Sequence, residues 1–109
     1  MSDHAKLALA ALSDAEKALE ELDGRCCDPT RRPCMADLSE TLAAIRPKVT
    51  PELTGSPEAL FALLEDAGGQ LGRLQVFCCA ENRLPLYARM LDDLTRIQLE
   101  TNRSLGTGH

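Results

Sequence analysis

Five cysteines are the residues of this chain whose type and grouping most suggest chemistry. They occur as two doublets and one single residue: Cys26, Cys27, Cys34, Cys78 and Cys79. Thiolates bind zinc and copper(I), attack electrophiles and form disulfides. Four arginines are close to them in the sequence, and a nearby cation favours the thiolate form: Arg25, Arg31, Arg32 and Arg83.

Three interpretations of the cysteines stay open. A site for zinc or copper(I) would draw on Cys27, Cys34 and Cys78, with Cys26 or Cys79 as a further ligand, although the spacing is not a standard zinc pattern. A redox pair such as Cys27 with Cys78 would join two segments when oxidised. Buried thiols that fill an apolar core explain Cys34 and Cys78, but they explain a doublet beside arginine less well.

The Cys26-Cys27 loop, with Cys34 opening the next helix, resembles the metal-binding loop of the mercury- and zinc-responsive regulators. The resemblance covers about a dozen residues, and it implies that Cys26, Cys27 and Cys34 are metal ligands. Two features depart from that family. No DNA-reading helix-turn-helix pattern precedes the loop, and two further long helical segments follow it.

The segments that position the cysteines have helical periodicity. Apolar residues recur at intervals of three and four positions, which predicts a first helix over residues 3–23 ended by Gly24. The same spacing predicts a second helix over residues 33–46 that Pro47 ends. The segment between these helices carries two prolines and no apolar period, so we expect a loop there.

The second half of the chain predicts two more helices. The third begins at Ser56-Pro57 and keeps its apolar rhythm as far as Cys78. Its Gly68-Gly69 pair leaves two alternatives, a break or a continuous helix with a narrow waist that admits a close neighbour, and we expect the continuous helix. The fourth helix is predicted from Pro85 to about Leu105.

These four segments predict an all-α fold, an up-down-up-down four-helix bundle, because short connections favour antiparallel neighbours. We expect one domain over residues 1–105 and a flexible tail over residues 106–109. In that topology, the loop after the first helix and the end of the third helix lie at the same pole of the bundle. All five cysteines would then gather there.

Composition excludes several classes of function. The chain has 109 residues and a formal net charge of −5, and it carries no dense group of Lys and Arg, so we expect neither a nucleic-acid partner nor a membrane partner. Only six consecutive apolar residues follow the first lysine, whereas a secretory signal needs about 7–15. We therefore place the chain in the cytoplasm, where thiols are usually reduced.

The sequence does not favour an enzyme. The only histidines are His4 and His109, near the two ends, so neither a di-iron bundle nor a histidine-assisted nucleophile is expected. The glycines near position 70 lack the lysine and hydroxyl of a phosphate-binding loop. We interpret the doublet Asp92-Asp93 and the run Glu20-Glu21 as solvated helix faces.

The remaining expectation is a non-enzymatic interaction or regulatory module that binds a protein partner or a second copy of itself. Such a module needs an exposed apolar patch, and we expect that patch on the fourth helix, with help from the connector near Leu53. The residues predicted to form it are Leu86, Tyr87, Met90 and Leu94. The alternative is a thiol-dependent metal-binding or redox-sensing protein that uses the cysteine pole.

Overall fold

A computed structural model describes residues 3–25, 32–49, 57–77 and 83–106. These ranges hold four α-helices and no strand: α1 (Asp3–Arg25), α2 (Arg32–Ile45), α3 (Pro57–Phe77) and α4 (Arg83–Gly106). The prediction of an all-α chain with four helices is confirmed.

The helix boundaries agree with the expected ones at Pro47 and differ from them at Gly24 and Pro85. Gly24 does not end α1, because the helix continues through it to Arg25. Pro47 does end α2, and the chain then makes a short 3-10 helix over Arg46–Lys48. Pro85 lies inside the first turn of α4, where a missing N–H costs no helical hydrogen bond.

The α3 helix runs without a break through its three glycines, so the expectation of one continuous helix is confirmed. The expected reason for those glycines is wrong. A Cβ added at Gly68 or Gly72 would meet no atom of the described residues within 4 Å, and one at Gly69 would meet only the flexible end of Arg73, 3.9 Å away. No described helix therefore depends on the absence of a Cβ at these positions in order to pack closely against α3.

The molecule is elongated, with principal dimensions of 48 × 20 × 18 Å. The α1 helix packs most extensively against α4, and α3 packs against both α2 and α4. His4, early in α1, contacts Glu100, late in α4, whereas Asp14, further along α1, contacts Arg89, nearer the start of α4. The α1–α4 pair is therefore antiparallel.

Leucine and alanine dominate the core, to which all four helices contribute. Periodicity explains most of this set, because positions three and four residues apart share one face of a helix. Of the aromatic residues whose burial the structure describes, Tyr87 is the one in the buried core, and its hydroxyl donates a hydrogen bond to the carbonyl oxygen of Leu74 at 3.2 Å. This bond links α4 to the C-terminal part of α3.

Candidate functional site

The cysteine hypothesis lies outside the described residues. Cys26, Cys27, Cys78 and Cys79 are in segments that the structure does not describe, and Cys34 belongs to the first turn of α2 but its side chain is not described. Across the described ranges, no group of three or more His, Cys, Asp or Glu side chains is placed to hold a metal ion. The metal and redox interpretations stay predictions, which intact mass with thiol counting and metal analysis would test.

The predicted partner patch on α4 is corrected by the structure. Leu86, Tyr87, Met90 and Leu94 are not exposed, since each retains 6% or less of its accessible surface. They belong to the core because they lie on the side of α4 that meets α1 and α3. Leu53, the other residue expected at this surface, is outside the described residues.

A different set of α4 residues forms an exposed surface, which we call the outer stripe. Its members recur at intervals of four, three, four and four positions: Leu84, Ala88, Leu91, Thr95 and Leu99. All five are exposed, and the three leucines keep 58%, 55% and 48% of their accessible surface. Of the four large apolar side chains exposed among the described residues, only Leu7 lies elsewhere. The exposed large apolar side chains are therefore concentrated on one helix face, whereas single ones scattered over a surface are ordinary.

A groove between α3 and α4 adjoins the outer stripe. Its volume is about 350 Å³, and Leu84, Ala88 and Leu91 line its α4 side. Gly68 and Gly72 line the α3 side, where a Cβ would meet open space. The missing side chains therefore leave a hollow beside projecting leucines.

The outer stripe is uncharged along its length, and its one polar member is satisfied within the helix. The hydroxyl of Thr95 donates a hydrogen bond to the carbonyl oxygen of Leu91 at 2.9 Å. Exposed charges of both signs lie along one flank, with Asp92 and Arg96 one helical turn apart. These two residues share a surface depression with Thr95 and Leu99. The stripe is therefore apolar at its centre and has a pair of opposite charges at its edge.

A polar cluster joins the opposite side of α4 to α1. The guanidinium of Arg89 donates two hydrogen bonds to the carboxylate of Asp14, at 2.6 and 2.8 Å, and Glu21 lies 3.8 Å from the same guanidinium. Asp93 lies beside them and is 8% exposed, and no hydrogen-bond donor among the described residues reaches its buried Oδ2 atom. The interpretation of Asp93 as a solvated residue is therefore wrong, whereas Asp92 is exposed as expected.

The two carboxyl groups of this cluster are shifted in opposite directions. The hydrogen bonds from Arg89, aided by one from Asp93, lower the pKa of Asp14 to about 2. Burial raises the pKa of Asp93 to about 7, and the hydrogen bond and charge of Asp14 act in the same direction. One proton shared between Asp93 and an ionised Asp14 accounts for both shifts.

A second polar contact joins the same two helices near their other end. The ring nitrogen Nδ1 of His4 lies 2.7 Å from Oε2 of Glu100, and Arg103 donates to the other oxygen of that carboxylate at 3.0 Å. The hydrogen bond with His4 is the main cause of a lowered pKa at Glu100. Glu100 is only 4% exposed, so His4 has a structural partner despite its position near the chain start.

An acidic cleft of about 540 Å³ separates part of α1 from α2. Glu16, Glu20 and Asp23 line it together with the buried side chains of Leu19 and Met35. Glu16 is already paired with Arg46, which also donates a hydrogen bond to the hydroxyl of Ser13 at 3.3 Å. The cleft therefore differs in charge from the outer stripe.

Comparison with known proteins identifies no relative. No family model, curated protein or solved structure matches the chain. In the ranges that the structure describes, no helix is both long and apolar enough to cross a bilayer.

Proposed function

We propose that this protein is a non-enzymatic interaction module, and that the outer stripe of α4 is its binding surface. The observation that carries the proposal is the exposure of Leu84, Leu91 and Leu99 on one face of a helix whose opposite face is already packed. Burial of one of these leucines against a partner would contribute favourable free energy, about 1.5–3 kcal/mol if the side chain became fully buried.

The groove beside the stripe supports the same proposal. A partner's side chains find room above Gly68 and Gly72, where no atom in the described part of the chain lies within 4 Å of a Cβ position. Projecting leucines and an adjoining hollow together resemble the surface that receives an amphipathic helix. We also propose a cytoplasmic setting, because five cysteines are an odd number and cannot all be paired within one chain.

The test is site-specific photo-crosslinking in the organism that encodes the protein. A photoreactive residue replaces Ala88, at the centre of the stripe, and in a matched control it replaces Ala62, which is exposed on α3 outside the stripe. We expect a discrete crosslinked protein from position 88 that is weak or missing from position 62. Adding Leu84→Glu should abolish the crosslink, because a carboxylate cannot be buried there without a partner.

Equal crosslinking from positions 88 and 62 would contradict the proposal, as would a product that persists with Leu84→Glu. Circular dichroism of each variant checks that the helices remain intact. Since Ala62, Leu84 and Ala88 are all exposed, none of these substitutions is expected to unfold the bundle.

A further inference from the structure

The partner of the outer stripe can be inferred from the charges beside it. We infer that the stripe binds the same stripe of a second copy of this chain, with the two α4 helices antiparallel. This inference rests on the proposed function, since it names the partner of that surface.

Self-complementarity is the first reason. A two-fold dimer uses one surface patch twice, so the patch has to offer both projections and room to receive them. The outer stripe offers both, because its exposed leucines alternate along the helix with the smaller side chains of Ala88 and Thr95. With the two-fold axis midway between Asp92 and Arg96, position 89 lies opposite Leu99 of the other copy, so the two stripes overlap over about ten residues, or about 15 Å at about 1.5 Å per residue.

Charge complementarity is the second reason, and it also sets the orientation. In an antiparallel pair whose two-fold axis passes midway between Asp92 and Arg96, each Asp92 faces Arg96 of the other copy. In a parallel pair, the two-fold axis runs along the helices and places the flanks that carry these residues on opposite sides of the interface, so no Asp92–Arg96 pair forms across it. Both residues are exposed on the flank of the stripe, beside Thr95 and Leu99.

The absence of charge within the stripe is the third reason. Two copies of a chain with a net charge of −5 repel one another at long range, so they associate best through a surface that adds no further like-charge contacts. The stripe is uncharged from Leu84 to Leu99, whereas the α1–α2 cleft is lined by Glu16, Glu20 and Asp23. A second copy therefore fits the stripe better than it fits the cleft.

The first experiment is light scattering coupled to size exclusion, over a wide range of concentrations and with reductant present so that the thiols cannot link chains. We expect a mass of twice the 11.8 kDa chain that falls towards the monomer on dilution. Leu91→Glu should raise the dissociation constant at least about 30-fold, because the substitution occurs on both sides of the interface. Leu7→Glu is the matched control, an exposed leucine on α1, and should leave the dimer unchanged.

The second experiment tests the antiparallel register. Asp92→Arg and Arg96→Asp, each made alone, should weaken the dimer about fivefold or more, since each change creates two pairs of like charges. The double variant restores both pairs with the signs exchanged, so its dissociation constant should return to within about twofold of the unmodified protein. A double variant as weak as the single variants would overturn the antiparallel arrangement.

The outcomes separate this inference from the proposed function. A protein that stays monomeric at every concentration, while position 88 still crosslinks to a different protein, rejects the second copy and keeps the interaction module. A monomer without a crosslink from position 88 rejects both. A dimer that Leu91→Glu leaves intact shows that copies associate elsewhere, which also rejects the inference.

Discussion

The two sides of α4 carry similar side chains in different surroundings. Met90 and Ile97 on the inner side are 2% and 0% exposed, whereas Leu91 and Leu99 on the outer side keep about half of their surface. Residue type does not distinguish the two sides, because both are rich in large aliphatic groups. What differs is that α1 and α3 cover one side, and no described helix covers the other. An apolar side chain thus stabilises the fold on one side of α4 and is left in contact with solvent on the other.

The largest change in stability that this contrast predicts comes from one of a pair of alanine substitutions. Ile97→Ala removes fully buried carbons and leaves a cavity, so we expect the free energy of unfolding to fall by about 2–5 kcal/mol. Leu91→Ala, made on the exposed side, should change it by about 0.5 kcal/mol or less in the monomer. Denaturant unfolding at low protein concentration measures both. Equal losses would show that the two sides are not different in packing.

The second test concerns acidity on the inner side. Asp93 has a pKa of about 7 in the fold against an ordinary value of 3.8, so the folded protein keeps a proton that the unfolded chain releases. Stability should therefore fall as the pH rises from about 4 to about 7 and then level off. Asp14 is shifted the other way, to about 2, so its contribution is lost as the pH falls from about 4 towards 2.

Asp93→Asn separates these two contributions. The amide still donates a hydrogen bond to Asp14 but carries no titrating proton, so the decline between pH 4 and 7 should disappear while the loss at acid pH remains. Melting temperature as a function of pH is the measurement. Asp92→Asn, on the exposed flank, is the control and should leave the decline between pH 4 and 7 in place. A decline that survives Asp93→Asn would assign the titration to another group.

A smaller effect is expected from the buried hydroxyl of Tyr87. Tyr87→Phe removes the hydrogen bond to the carbonyl oxygen of Leu74 and keeps the ring in the core. We expect a loss of about 0.5–1.5 kcal/mol, typical of one hydrogen bond, in denaturant unfolding. A loss as large as that of Ile97→Ala would indicate that the hydroxyl does more than join α4 to α3.

The smallest expected effect, a gain, concerns the groove beside the outer side. Gly72→Ala places a methyl group in open space and removes the helix penalty of glycine, so the free energy of unfolding should rise by about 0.5–1 kcal/mol. Gly68→Ala should act in the same direction, and thermal unfolding measures both. Destabilisation by either change would show that the groove is more tightly packed than its geometry indicates.

Periodicity was enough to predict the helices and most of the core, because the three- and four-residue spacing depends only on helix geometry. It failed on α4, which has two apolar stripes. Leu86, Tyr87, Met90 and Leu94 were predicted to be exposed, and nothing local distinguishes them from Leu84, Leu91 and Leu99. The choice between the two stripes depends on where α1 and α3 pack, which one helix does not encode.

The polar cluster was missed for a related reason. Asp93 lies three residues after Met90 and four before Ile97, and that spacing placed it on the inner side. The spacing was therefore a usable signal, but a carboxylate beside another carboxylate is most often solvated. Its burial depends on Asp14 and Arg89, which are 75 residues apart in the chain.

That separation has a consequence for synthesis on the ribosome. The α1 helix emerges first, yet the helix that packs against it most extensively is α4. At about 5–20 residues per second, the 75 residues between Asp14 and Arg89 take roughly 4–15 s to translate. During that time α4 is not available to cover the apolar face of α1. We therefore expect the nascent chain to expose this face, and to benefit most from a chaperone, in this period.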